Sequence, residues 1–139
     1  MRIYFAASIS GGRRYLPACT RMVEFLKDLG HTVLTEHIVA PDVLSGEMNF
    51  TAQQIYERDT AWLESCDRVV AEVSSPSLGV GYEICYALHF GKPVIALHEE
   101  GLFISRMITG ISQPGITVTA YRDEAGWREP LIRFLEDAR

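Results

Sequence analysis

The chain has 139 residues, 47% hydrophobic and 22% charged, a balance that suits one domain (1–139) with its own core and excludes a disordered polymer. A net charge of −5 excludes broad electrostatic binding to a nucleic acid polymer or an anionic membrane. It leaves room for one small anion held by backbone N–H groups.

Arg2 to Ala7 is a continuous apolar run ending in a turn, which predicts a buried central strand. Arg13 to Leu29 places Leu16, Cys19, Met22, Val23, Leu26 and Leu29 at helical spacing, and Gly30 stops the helix. Thr32 to Thr35 is a short second strand, and Pro41 to Asn49 reads as a polar, turn-rich connection. A helix from Thr51 to about Cys66 leads to a third strand, Arg68 to Val73. Ser74 to Gly81 reads as a Ser/Gly/Pro loop, with a helix continuing to about Phe90. Pro93 to Leu97 is a fourth strand, Leu102 to Ile111 a short helix, Ile116 to Ala120 a fifth strand, and Asp123 to Ala138 the last helix.

Alternating strands and helices predict an α/β fold, a doubly wound five-stranded parallel sheet of order 2-1-3-4-5 with helices on both faces. In that order ligands bind beyond the carboxyl ends of strands one and three, where the winding reverses. The loops leaving those ends are Ser8-Ile9-Ser10-Gly11-Gly12 and Ser74 to Gly81, the two richest in Ser and Gly. Each precedes a helix, so free N–H groups and hydroxyls are expected to face the crevice and suit a phosphate. Neither loop is a P-loop or a GxGxxG motif.

Two acids sit among apolar helix positions. Glu83 is three residues from Val80 and four from Ala87, near the positive end of its helix. Asp59 is four from Ile55, three from Trp62 and four from Leu63. A buried carboxylate must be paired or have a raised pKa. Glu57, Arg58 and Glu64 fall on other faces and read as solvated. Tyr4, in the most buried strand, needs a partner for its hydroxyl. Glu72 and His37 read as pointing to the crevice side, and His37 is equally readable as structural. Two carboxylates at a phosphate-friendly crevice suggest glycosyl transfer, in which one attacks the anomeric carbon and the other handles the leaving group. The acids and histidines lack metal-ligand spacing, so no metal or other cofactor is expected. Three unpaired cysteines without CxxC spacing predict reduced thiols and a cytoplasmic location. No run approaches the ~20 apolar residues of a membrane span, and Met1 to Ala7 is too short for a signal peptide.

The segments Ile3 to Arg13, Thr35-Glu36-His37, Glu57 to Leu63 and Val70 to Glu83 together resemble the Rcl family of 2'-deoxynucleoside 5'-monophosphate N-hydrolases, relatives of the nucleoside 2-deoxyribosyltransferases. The resemblance implies that Glu83 attacks C1', that Asp59 positions or protonates, that Tyr4 holds the nucleophile and sugar, and that water releases the sugar phosphate. It implies nucleotide contacts at Ser8, Ile9, Gly11, Ser77 and Gly79, with Ser10, Gly12 and His37 completing the expected binding set. It also implies a homodimer, with Ser105 supplied to the neighbouring subunit's phosphate site. Mammalian members read SIRGG where this chain has Ser8 to Gly12, so Ser10 replaces an arginine; Arg13, Arg14 and Arg106 are candidates to supply its charge. Three functions stay open: hydrolysis of a nucleoside 5'-monophosphate, base exchange between deoxynucleosides, and nucleotide sensing without catalysis.

Overall fold

A computed structural model describes residues 1–137; the expected end of the last helix, Ala138, lies outside the described residues. Five strands, β1 (Arg2–Ala6), β2 (Thr32–Val33), β3 (Arg68–Glu72), β4 (Val94–Glu99) and β5 (Ile116–Tyr121), form one parallel sheet in the order β2-β1-β3-β4-β5. This is the expected doubly wound order. The helices are α1 (Leu16–Asp28), α2 (Val43–Glu47), α3 (Ala52–Ser65), α4 (Leu78–His89), α5 (Arg106–Thr109) and α6 (Glu124–Glu136).

The period of two along each strand divides the core into two layers. Ile3, Phe5, Val70, Ile95 and Leu97 pack against Met22, Val23 and Leu26 of α1 and Trp127 and Leu131 of α6. Tyr4, Ala6, Val69, Ala71, Val94 and Ala96 face the other way, onto Leu63 of α3 and Val80, Ile84 and Ala87 of α4. The register Tyr4↔Val69 and Ala6↔Ala71 keeps these residues on one face across β1 and β3. Tyr4 thus shares a layer with α3 and α4, the helices that carry Asp59 and Glu83.

Several expected boundaries shift. The Pro41–Asn49 connection contains α2, a single short helix. The loop after β3 is shorter than expected: Ser77 Oγ accepts from the Val80 N–H, so Leu78 to Gly81 already form the first turn of α4. Two glycines in that turn mimic loop composition, and the serine cap overrides them. The helix expected at Leu102–Ile111 shortens to α5, capped by Ser105, and the Arg13 helix begins only at Leu16, ahead of Pro17. Thr51 and Gln54 make a reciprocal capping box that starts α3. Among the described residues no helix is long and apolar enough to cross a membrane.

Candidate active site

The carboxyl ends of β1 and β3 open into a crevice of about 170 Å³. Its floor is the pair Tyr4 and Glu83, joined by a hydrogen bond in which the phenol donates to Glu83 Oε1 at 2.6 Å. One wall comes from the two Ser/Gly loops and carries Ile9, Ser10, Ser77 and Gly79. The opposite wall carries His37, Glu47, Arg58 and Asp59. Six of the expected positions other than Glu83 and Tyr4 therefore line this crevice.

The remaining expected residues lie elsewhere. Ser8 and Gly12 line a small cavity on the α1 side of the loop. Ser8 Oγ is buried and has no hydrogen-bond partner among the described residues. Gly11 has its backbone pressed against Ser8 and Pro76: a Cβ there would lie 2.5 Å from Ser8 Oγ and 2.6 Å from the Pro76 carbonyl oxygen. Only glycine lets the two loops approach this closely. Ser105 caps α5 beside a separate groove of about 650 Å³ that also includes Ser77 and Val80. That groove is the larger of the two, but its lining holds no acid, whereas the crevice is lined by Asp59 and Glu83.

Burial pushes the Glu83 carboxyl up to about 7; the Tyr4 hydrogen bond opposes the rise and the nearby Asp59 charge adds to it. Tyr4 is raised well above the ordinary phenol by its own burial and then by the charges of Glu83 and Asp59, so it stays a hydrogen-bond donor. The floor thus couples a neutral phenol to a carboxyl that can ionise near neutrality.

Two sequence readings are corrected. Glu72 does not face the crevice. Its position on β3 is in phase with Val70, so it points into the α1/α6 layer, buried, where it accepts from Ser74 Oγ and from Tyr121 at 2.9 Å. Arg58 is not a solvated surface residue. Its side chain is 23% exposed, its Nε donates to Asp59 Oδ1 at 2.8 Å and a terminal nitrogen donates to Glu47 Oε1 at 2.9 Å. The guanidinium carbon stands 4.9 Å from the Trp62 ring centre and 5.6 Å from that of Phe50. Sequence reading missed Arg58 and Glu47; an aromatic at i+4 from Arg58 was the available signal. Asp59 is half-buried and ion-paired with Arg58, one of the two outcomes expected for a carboxylate among apolar positions.

The candidate replacements for the family arginine lie away from this crevice. Arg13 donates to the Ile38 and Ala40 carbonyls, Arg14 faces Glu99 at 3.9 Å, and Arg106 stacks over Phe103. Of the candidate cations, none lines the crevice, whereas Arg58 does.

The family model for nucleoside 2-deoxyribosyltransferase matches residues 3–119. The chain belongs to this family. Over 125 residues it is 46% identical to a protein of Thermofilum pendens provisionally named 2'-deoxynucleoside 5'-phosphate N-hydrolase 1, covering 88% of this chain and 87% of that one. It is 45% identical over 112 residues to the 5-hydroxymethyl-dUMP N-hydrolase of Mus musculus, covering 78% of this chain and 64% of the mouse protein. The solved structure of the Clostridium botulinum CMP N-glycosidase matches with a TM-score of 0.71 over 96% of this chain and 99% of that chain; at 20% identity this likeness concerns the fold.

Proposed function

We propose that the protein hydrolyses the N-glycosidic bond of a (deoxy)nucleoside 5'-monophosphate, giving free base and (deoxy)ribose 5-phosphate. The observation that carries this reading is the Glu83 carboxyl, desolvated at the crevice floor and held by Tyr4 at 2.6 Å. The names of the Thermofilum and mouse relatives point to the same reaction.

Glu83 attacks C1' through a carboxylate oxygen as the C1'–N bond breaks and its electron pair leaves with the base. Tyr4 orients the attacking carboxylate, and Asp59 positions the sugar or the leaving base. Water then attacks C1' of the glycosyl-enzyme, Glu83 departs as a carboxylate, and the proton the water loses balances the one that the departed base takes up from solvent. The 5'-phosphate lies against the N-terminus of α4 and the first loop, near Ser10, Ser77 and Gly79, while Ser8, Gly11 and Gly12 shape that loop from behind. No metal or cofactor is needed for these steps.

The apolar groove beside Ser105 supports a homodimer. Leu78, Phe103 and Met107 border it and are more than four-fifths exposed in the single chain. A partner covering this face would bring its Ser105 close to the shared Ser77. Reduced Cys19, Cys66 and Cys85 fit a cytoplasmic enzyme, and residues 1–139 act as one domain. Base exchange is the second reading, favoured by the name of the family model.

Chromatography of products from deoxynucleotides, ribonucleotides and unphosphorylated nucleosides tests the proposal. Free base and sugar phosphate are expected, with Glu83→Ala inactive. A new nucleoside on adding a foreign base would favour exchange. Nucleotide binding without product over long incubation would favour a sensor.

A further inference from the structure

We propose that Arg58 binds the departing nucleobase and stabilises it as an anion, which makes the enzyme selective for bases with a carbonyl oxygen beside the glycosidic nitrogen. This rests on the N-glycosidase reading and gives a role to a residue to which neither the motifs nor the paired acids assigned one.

The crevice has two walls of different chemistry. The Ser/Gly wall offers backbone N–H groups and hydroxyls at the start of α4. The facing wall, from α2 and α3, carries the guanidinium of Arg58. With C1' at Glu83 and the phosphate on the first wall, the base projects toward the second. Arg58 makes hydrogen bonds through Nε and one N–H of a terminal nitrogen, and the guanidinium has no further hydrogen-bond acceptor among the described residues. A guanidinium has five N–H donors, so most of this one's are left for a ligand.

Its orientation is fixed before any ligand arrives. Asp59 and Glu47 brace two of its edges, and Trp62 and Phe50 lie against it at 4.9 and 5.6 Å. Glu47 in turn lies 3.4 Å from His37 Nε2. A preorganised cation costs little to align as charge develops, which is the condition for electrostatic stabilisation of a leaving group.

The bracing of Arg58 favours departure of the base as an anion. Asp59 and Glu47 both serve as acceptors of the Arg58 N–H groups. A purine departs most readily with a proton on its ring, which a guanidinium does not supply. A 2-oxopyrimidine needs no such proton. As C1'–N1 breaks, the electron pair spreads from N1 onto O2 and O4, and Glu83 supplies the pair of the new C1'–O bond. The guanidinium donates hydrogen bonds to the anionic base, which takes its proton from water on release.

The test is single-turnover base release from dUMP, 5-fluoro-dUMP, 5-bromo-dUMP and dAMP, by the wild type, Arg58→Met and Arg58→Lys. In Arg58→Met, release from dUMP is expected to slow by about 10²-fold. The rate should then depend more steeply on the acidity of the pyrimidine, because nothing offsets the developing charge. Release from dAMP should change by far less, and Arg58→Lys should give an intermediate slope. Melting temperatures check that each variant folds; if Arg58→Met does not, the slope in Arg58→Lys against the wild type decides. An equal fall on all four substrates with an unchanged slope overturns the proposal in favour of a purely structural role. Deoxyuridine is assayed alongside the four nucleotides, and a fall seen with dUMP but not with deoxyuridine also overturns the proposal and moves the guanidinium to the phosphate. Wild-type protein that releases base from none of the four, nor from other nucleotides, would sink the glycosidase reading itself.

Discussion

The α-carbon of Gly11 packs so closely on the Pro76 carbonyl that a methyl group there would stand 2.6 Å from the oxygen. Two loops separated by more than sixty residues of chain are thus locked at a contact only glycine allows. Gly11→Ala should push them apart, destabilising the fold by about 1–3 kcal/mol. It should also raise KM for the nucleotide by about tenfold or more, because the phosphate-facing groups lose their spacing. Steady-state kinetics beside a thermal melt measures both; unchanged KM would separate this contact from the site.

Glu83 predicts opposite effects on activity and stability. As a nucleophile it must be ionised, so wild-type turnover should rise with pH through about 7. Its folded value lies above the ordinary 4.5, so the fold holds the proton more tightly than the unfolded chain does. That stabilisation is complete below the unfolded value and fades as pH rises through about 7. Glu83→Gln should therefore abolish turnover yet gain on the wild type in stability above pH 7, by about 1–3 kcal/mol relative to pH 5. Melts across the pH range check the sign.

Tyr4→Phe removes one hydroxyl and little volume. The lost hydrogen bond had been lowering the Glu83 value, so the acidic limb of the pH–rate profile should move upward. Activity at neutral pH should fall and recover in part at alkaline pH. A profile lowered uniformly, with its limb in place, would assign Tyr4 to the sugar alone.

Glu72→Ala leaves the buried hydroxyls of Ser74 and Tyr121 without their acceptor. A loss of about 2–4 kcal/mol is expected. Ser74 begins the loop that carries Ser77, and its Oγ also accepts from the Glu99 N–H at 2.7 Å. The variant should accordingly bind nucleotide less tightly even at temperatures where it remains folded, as titration calorimetry would report.

The sheet order and the crevice were legible because apolar runs and helical spacing report burial directly, and the switch point follows from strand order. Tyr4, Asp59 and Glu83 stood out as polar groups in apolar surroundings. Arg58 did not, since its burial comes from Glu47, Phe50 and Trp62, which a helical wheel of its own helix shows only in part. Glu72 was misjudged because position along a strand was read without its phase: one residue decides which face a side chain meets. The first turn of α4 was hidden by Gly79 and Gly81, whose loop-like composition is outweighed by the Ser77 cap.

The crevice floor and its α2 wall are not equally durable. Tyr4 belongs to β1, which is hydrogen-bonded to β2 on one side and β3 on the other. Glu47 ends a five-residue helix that has one buried residue, Val43. Amide exchange should therefore separate them, with β1 opening only on global unfolding and α2 opening far more often. Such fluctuations would let the freed base escape past Glu47 while the Tyr4–Glu83 pair stays assembled for the water that finishes the reaction.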